Sequence, residues 1–154
     1  MVDDEGAIRL RRAIMMLSRQ LNRSSTGAGL TPSQASVLGL VVARGPLTLA
    51  ELGELEGLNP TMLSRVVSKL HSMGLIDRIP DPADLRSASV VSAPAGRRIN
   101  QQIKARRAAA MSACMEQLSA GQAAALTKAL PALEELAEIM RQPSAADQVR
   151  HPVN

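Results

Sequence analysis

Thr48-Leu-Ala-Glu51-Leu-Gly-Glu-Leu-Glu-Gly57-Leu-Asn59-Pro-Thr-Met-Leu-Ser-Arg65-Val-Val-Ser-Lys-Leu-His-Ser-Met73-Gly-Leu-Ile-Asp-Arg78 decides how this chain folds. Thr48 with Glu51 is a capping box, and it opens a short helix that Gly57 ends. Asn59-Pro60 opens a second helix, a polar cap followed by proline in the first turn. That helix runs to about Met73, and Gly74 stops it. Residues 75–80 read as a strand, Asp81-Pro82-Ala83-Asp84 as a turn, and 87–91 as a returning strand. Two helices about a glycine turn, followed by a two-stranded ribbon, spell a winged helix-turn-helix.

The second helix has two unlike faces. At helical spacing Leu63, Val66, Val67, Leu70 and Met73 share one apolar arc, while Thr61, Ser64, Arg65, Ser68, Lys69 and Ser72 lie opposite. No carboxylate occurs from Asn59 to Gly74. An ordinary solvated helix face mixes Glu with Lys; one of hydroxyls and cations suits the DNA major groove. There Arg forks onto guanine, Ser and Thr bond bases or phosphates, and the helix N-terminus attracts phosphate. This face alone fits a plain surface helix equally well, and the short helix before it and the ribbon after it tip the reading to DNA. Arg86 at the ribbon tip can enter the minor groove, with Asp84 holding its rotamer. The plainer account is a surface ion pair worth about 0–1 kcal/mol.

Working outward, Leu10, Ile14, Leu17 and Leu21 recur at helical spacing between Ala7 and Arg23, and residues 24–29 break the pattern. Thr31-Pro32-Ser33-Gln34 is a further capping box with proline at the first helical position, for a helix to about Ala43 ended by Gly45-Pro46. Residues 94–117 read as a long helix with Ile99, Ile103 and Met111 among its apolar positions. Ser119 with Gln122 caps a last helix carrying Leu126, Leu130, Leu133, Leu136 and Met140, which Pro131 should kink or divide. The expected organisation is an N-terminal helix (1–30), the winged lobe (31–93), C-terminal helices (94–141) and a frayed tail (142–154). The fold class is mostly α with a small antiparallel β wing. The leucine stripes at the two ends have no local sequence partner. Packing within the chain or against a second copy covers them equally well on sequence alone.

Composition narrows the functions. The 154 residues carry a formal net charge of +4. It is unevenly spread: residues 1–107 hold 15 Lys/Arg against 9 Asp/Glu, and residues 108–154 hold 3 against 5. The basic excess lies with the helix-turn-helix, which suits a polyanionic partner, although a modest positive charge is also common on proteins that never touch nucleic acid. The chain lacks Phe, Tyr and Trp, which excludes base stacking on aromatic platforms and so argues against single-strand binding modules. No apolar run approaches the roughly 20 residues that cross a bilayer, and the acidic start, Met1 to Glu5, lacks signal-peptide order. A cytoplasmic protein without membrane partners is expected. The single cysteine, Cys114, fits a reducing compartment and reads as a buried, inert thiol on a helix. With two histidines, no Cys/His ligand spacing and no phosphate-binding loop (Gly27-Ala28-Gly29 lacks the lysine), neither a metal site, a cofactor nor an enzyme is expected. His71 reads as capping or solvating the second helix of the motif.

The chain resembles the MarR (multiple antibiotic resistance regulator) family of bacterial winged-helix transcription regulators. The likeness rests on Leu30 to Gln34, Leu49-Ala50-Glu51-Leu52, the run Asn59 to Val67, Leu70, Met73 to Arg78, Asp81-Pro82, Asp84, Arg86 and Pro94-Ala95-Gly96. It implies a homodimer held by both terminal helical regions and bound to palindromic operator DNA, acting as a repressor, with half-sites about 34–36 Å apart. It also implies release by a small lipophilic or aromatic-acid effector. The pocket would lie between dimer helices and DNA-binding lobe and be lined by Met, Leu, Ala and an Arg; Met15, Met16, Met111 and Met115 are candidate wall residues, or simple core filling. The DNA-binding set is then Ser33, Gln34, Asn59, Pro60, Thr61, Ser64, Arg65, Ser68, Lys69, Arg78, Asp84 and Arg86. The dimerisation set is Leu10, Ile14, Leu17, Leu21, Leu126, Leu130, Leu133 and Leu136. Two departures stand out: Leu85 replaces the first of two adjacent wing arginines, and Ala93 replaces the Thr that caps the long helix, leaving Ser92 to substitute. Peroxide-sensing relatives carry a cysteine in the first helix, and none is there. The competing reading is a winged-helix protein-interaction module without operator specificity.

Overall fold

A computed structural model of the protein describes residues 3–23, 28–80, 83 and 88–141. The element order is α1 (Asp4–Arg23), α2 (Pro32–Arg44), β1 (Leu47–Thr48), α3 (Leu49–Glu56), α4 (Pro60–Ser72), β2 (Ile76–Pro80), β3 (Ala88–Ser92), α5 (Pro94–Met115) and α6 (Ala120–Arg141). The chain divides into two compact units, Met1–Met111 and Ser112–Asn154.

The helix starts form as their caps dictate. The Thr31 side chain accepts from the Gln34 N–H while the Gln34 side-chain oxygen Oε1 accepts from the Thr31 N–H, at 3.3 and 3.0 Å. Thr48 and Glu51 repeat the arrangement at 3.2 and 2.7 Å. Gly57 ends α3 in the left-handed conformation, φ 64°, which costs a residue with a Cβ but not glycine. Asn59 Oδ1 accepts from the Met62 N–H at 2.9 Å and starts α4.

Within the first unit the core joins α2, α3, α4 and the sheet. Val37, Leu38 and Val41 of α2 meet Leu52 of α3, Leu63, Val67 and Leu70 of α4, Ile76 and Val90 of the strands, and Ile103 of α5, all buried. Aliphatic side chains of this size fill the space without aromatic residues, and truncating one such as Leu70 costs about 2–5 kcal/mol. The sheet is antiparallel in the order β1-β3-β2, with Leu47 and Arg78 both opposite Val90. In β2 only Ile76 is buried; from Asp77 to Pro80 every residue is exposed, so this hairpin leaves the core as a wing.

The structure departs from the sequence expectations at several points. The third strand, β1, was not expected; two residues are too short for any periodicity, and Thr48 doubles as the cap of α3. Met73, assigned to the apolar arc, is 38% exposed, because α4 ends at Ser72 and Met73 is its C-cap. α5 has no side-chain cap: Ser92 does not substitute, since its carbonyl and hydroxyl oxygens accept from the Arg97 guanidinium at 2.8 and 3.3 Å. Pro94 offsets part of this by bringing no N–H to the first turn. Pro131 does not divide the last helix, which runs unbroken around it; its ring removes one donor, and Pro131 lies on exposed surface. Cys114 is exposed rather than buried, because this part of α5 lies beyond Ile103, the last α5 residue in the core.

Candidate nucleic-acid interface

Thr61, Ser64, Arg65, Ser68, Lys69 and Ser72 are all exposed on α4, and Leu63, Val67 and Leu70 on its other side are buried. The division expected from helical spacing therefore holds for the polar face and for Leu63, Val67 and Leu70, whereas Val66 is only half-buried and Met73 is exposed. Among the described residues neither Arg65 nor Lys69 is ion-paired, so both cations are free to meet an anion. Pro60 is exposed at the start of the same face.

Arg78, on the neighbouring strand, joins this surface. Its Nη2 donates to the Ser68 hydroxyl at 3.2 Å, which sets the guanidinium beside the middle of α4. On the same flank the His71 ring meets the Ile76 carbonyl through Nδ1 at 3.0 Å. A carbonyl only accepts, so Nδ1 carries the hydrogen. His71 thus ties α4 to the first residue of the wing, instead of capping α4. At the far side, the Ser36 hydroxyl of α2 is within 3.0 and 2.8 Å of the two Glu56 carboxylate oxygens. That contact pins the end of α3 to α2 just before the Gly57 turn, and so helps set the angle at which α4 leaves.

The remaining assigned residues divide. Ser33 and Gln34 lie half-buried in the first turn of α2, and Gln34 Oε1 is committed to its capping box. Asn59 spends Oδ1 on the cap of α4. Asp84 and Arg86 lie outside the described residues. Sequence reasoning passed over Met62, which is 48% exposed in the first turn of α4; the available signal was its place just off the edge of the apolar arc.

Each leucine stripe is mostly exposed among the described residues. Leu10, Ile14, Leu17, Leu126 and Leu130 are exposed, whereas Leu21, Leu133 and Leu136 are half-buried. No residue of α1 or of α6 is buried. In the first unit Ile14, Leu17, Leu21, Arg107 and Met111 line one groove of about 420 Å³. Among the described residues no cluster of His, Cys, Asp and Glu could hold a metal ion, and no helix is long and apolar enough to cross a membrane.

The profile of the MarR family matches residues 30–88, from two residues before α2 to the first residue of β3. An uncharacterized helix-turn-helix-type transcriptional regulator of Mycobacterium bovis is 33% identical over 107 residues, covering 70% of this chain and 73% of its own length. Among solved structures, RV1404 of Mycobacterium tuberculosis superposes with a TM-score of 0.69 at 27% identity, covering 84% of this chain and 90% of that one. A mutant MarR of E. coli does so with a TM-score of 0.71 at 26% identity, covering 80% and 95%. CouR of Rhodococcus jostii, solved with p-coumaroyl-CoA bound, shares the fold at 23% identity with a TM-score of 0.71, covering 94% and 96%.

Proposed function

The chain belongs to the MarR family of helix-turn-helix transcription regulators, and on that premise we propose that it is a homodimeric repressor of palindromic operator DNA, released by a small lipophilic or aromatic acid. Its relatives are named as helix-turn-helix-type transcriptional regulators. One observation carries the reading: the outer face of α4 is exposed, free of carboxylate and furnished with Arg65 and Lys69, neither ion-paired among the described residues, with Arg78 tied in from the wing. In this reading α4 enters the major groove and Arg65 forks onto a guanine. Thr61, Ser64, Ser68 and Lys69 meet bases or phosphates, Ser33 and Gln34 approach the backbone, and Arg86, oriented by Asp84, enters the minor groove. The exposed apolar residues on each of α1 and α6 support a dimer, since apolar surface left in water marks an interface.

The groove lined by Ile14, Leu17, Leu21, Met111 and Arg107 suits an apolar acid: the aliphatic walls take the ring and the guanidinium takes the carboxylate. A panel of aromatic carboxylates should raise the melting temperature and weaken operator binding together, and Arg107→Ala should abolish both effects.

The deciding experiment is selection from a random duplex pool, with and without those acids. A palindromic consensus is the expected result. No enrichment would favour a winged-helix module that docks an acidic protein, because salt-dependent binding alone is common to both readings.

A further inference from the structure

Among the exposed side chains of α4, Met62 is the large hydrophobic one. Met62 is 48% exposed, while Leu63 beside it is buried. Its backbone is fixed, because the Met62 N–H donates to Asn59 Oδ1 at 2.9 Å. It precedes Arg65 by one helical turn, so the two side chains lie on adjoining parts of the same surface. First-turn residues of a recognition helix are those that approach base edges. The major groove offers a single apolar group to such a residue, the C5-methyl of thymine.

We propose that Met62 contacts a thymine methyl in each operator half-site, and that this thymine lies within one to two base pairs of the guanine held by Arg65. The assignment rests on the DNA-binding reading above and specifies what that site prefers. The spacing follows from the helix: three residues rise about 4.5 Å, against about 3.4 Å per base pair. Methionine suits the role because its unbranched thioether adapts to a methyl group whose height in the groove varies with local DNA shape.

The test uses the full chain and the consensus duplex obtained by selection, with each thymine replaced in turn by deoxyuridine, which lacks only the methyl. Fluorescence anisotropy should show wild-type affinity falling roughly four-fold for one substituted half-site and roughly fifteen-fold for both, at one symmetry-related pair of thymines. Met62→Ala should bind the thymine and deoxyuridine duplexes equally at that pair, while Met62→Leu keeps the discrimination. Because Met62 is exposed, both variants should melt with the wild type, which separates lost contact from lost fold. A tight consensus with a flat deoxyuridine profile would overturn the Met62 assignment and leave the regulator reading standing. So would a Met62→Ala variant with the wild-type profile. Failure to enrich any duplex would sink both.

Discussion

Arg65 is the residue on which base recognition turns in the proposed complex. It is exposed, without an ion-pair partner among the described residues, and one turn inside the N-terminus of α4, where a guanidinium reaches base edges and the helix dipole favours nearby phosphate. Arg65→Ala should weaken operator binding by about 1–3 kcal/mol and relax one base position; titration against duplexes varied at each position reads both effects. A uniform loss on all sequences would make it a phosphate contact. Gly96 matters for a different reason. A Cβ there would lie 2.0 Å from the Leu75 carbonyl oxygen, the same oxygen that accepts from the Ala93 N–H at 3.0 Å. Glycine lets the start of α5 press onto the end of the α4–β2 connection. Gly96→Ala forces these apart and should cost about 1–3 kcal/mol, toward the upper end because the obstacle is backbone. Denaturant unfolding would register it as a lower midpoint at unchanged slope.

At the scale of elements, the lobe is assembled from helices whose starts are chemically marked and whose ends are glycines. Gly74, at φ 71°, turns the chain from α4 into the wing as Gly57 turns it from α3 into α4. The caps do more than stabilise: Asn59 sets where α4 begins and therefore where Thr61, Met62 and Arg65 sit. Asn59→Ala should lower stability by about 1 kcal/mol and reduce operator affinity with it, and Asn59→Ser, which keeps an acceptor, should restore both. Thermal melts run beside duplex titrations would check this. A serine variant with wild-type melting but weak binding would assign Asn59 a direct contact to DNA.

At the scale of the whole molecule, the first unit has a dense aliphatic core, whereas α1 and α6 bury nothing of their own. Ile8, Leu10, Ile14, Met15, Met16 and Leu17 of α1, and Leu126, Leu130, Ile139 and Met140 of α6, are all exposed. Leu17→Glu and Leu130→Glu each place a charge on these surfaces. Each should shift sedimentation from dimer toward monomer. Operator affinity should fall by about 100-fold, since a monomer loses the gain from engaging two linked half-sites. An unchanged dimer in both variants would put the subunit contact elsewhere.

What the sequence determined by itself was local in origin. Capping boxes, proline at helix starts and glycine at helix ends act within four residues, so α2, α3 and α4 were legible nearly to the residue, and so was the polar face of α4. The lack of aromatic residues excluded base stacking on aromatic platforms on composition alone, whereas the charge asymmetry only suited a polyanionic partner. Tertiary structure decided the rest, because it brings together residues that no short window contains. Only it joins Arg78 to Ser68, His71 to the Ile76 carbonyl and Ser36 to Glu56. It pairs a two-residue strand, Leu47–Thr48, with β3, and it explains Gly96 through a carbonyl 21 positions away in sequence. It also placed Cys114 on the surface: an apolar helical neighbourhood resembles a core in sequence, and burial depends on what packs against it.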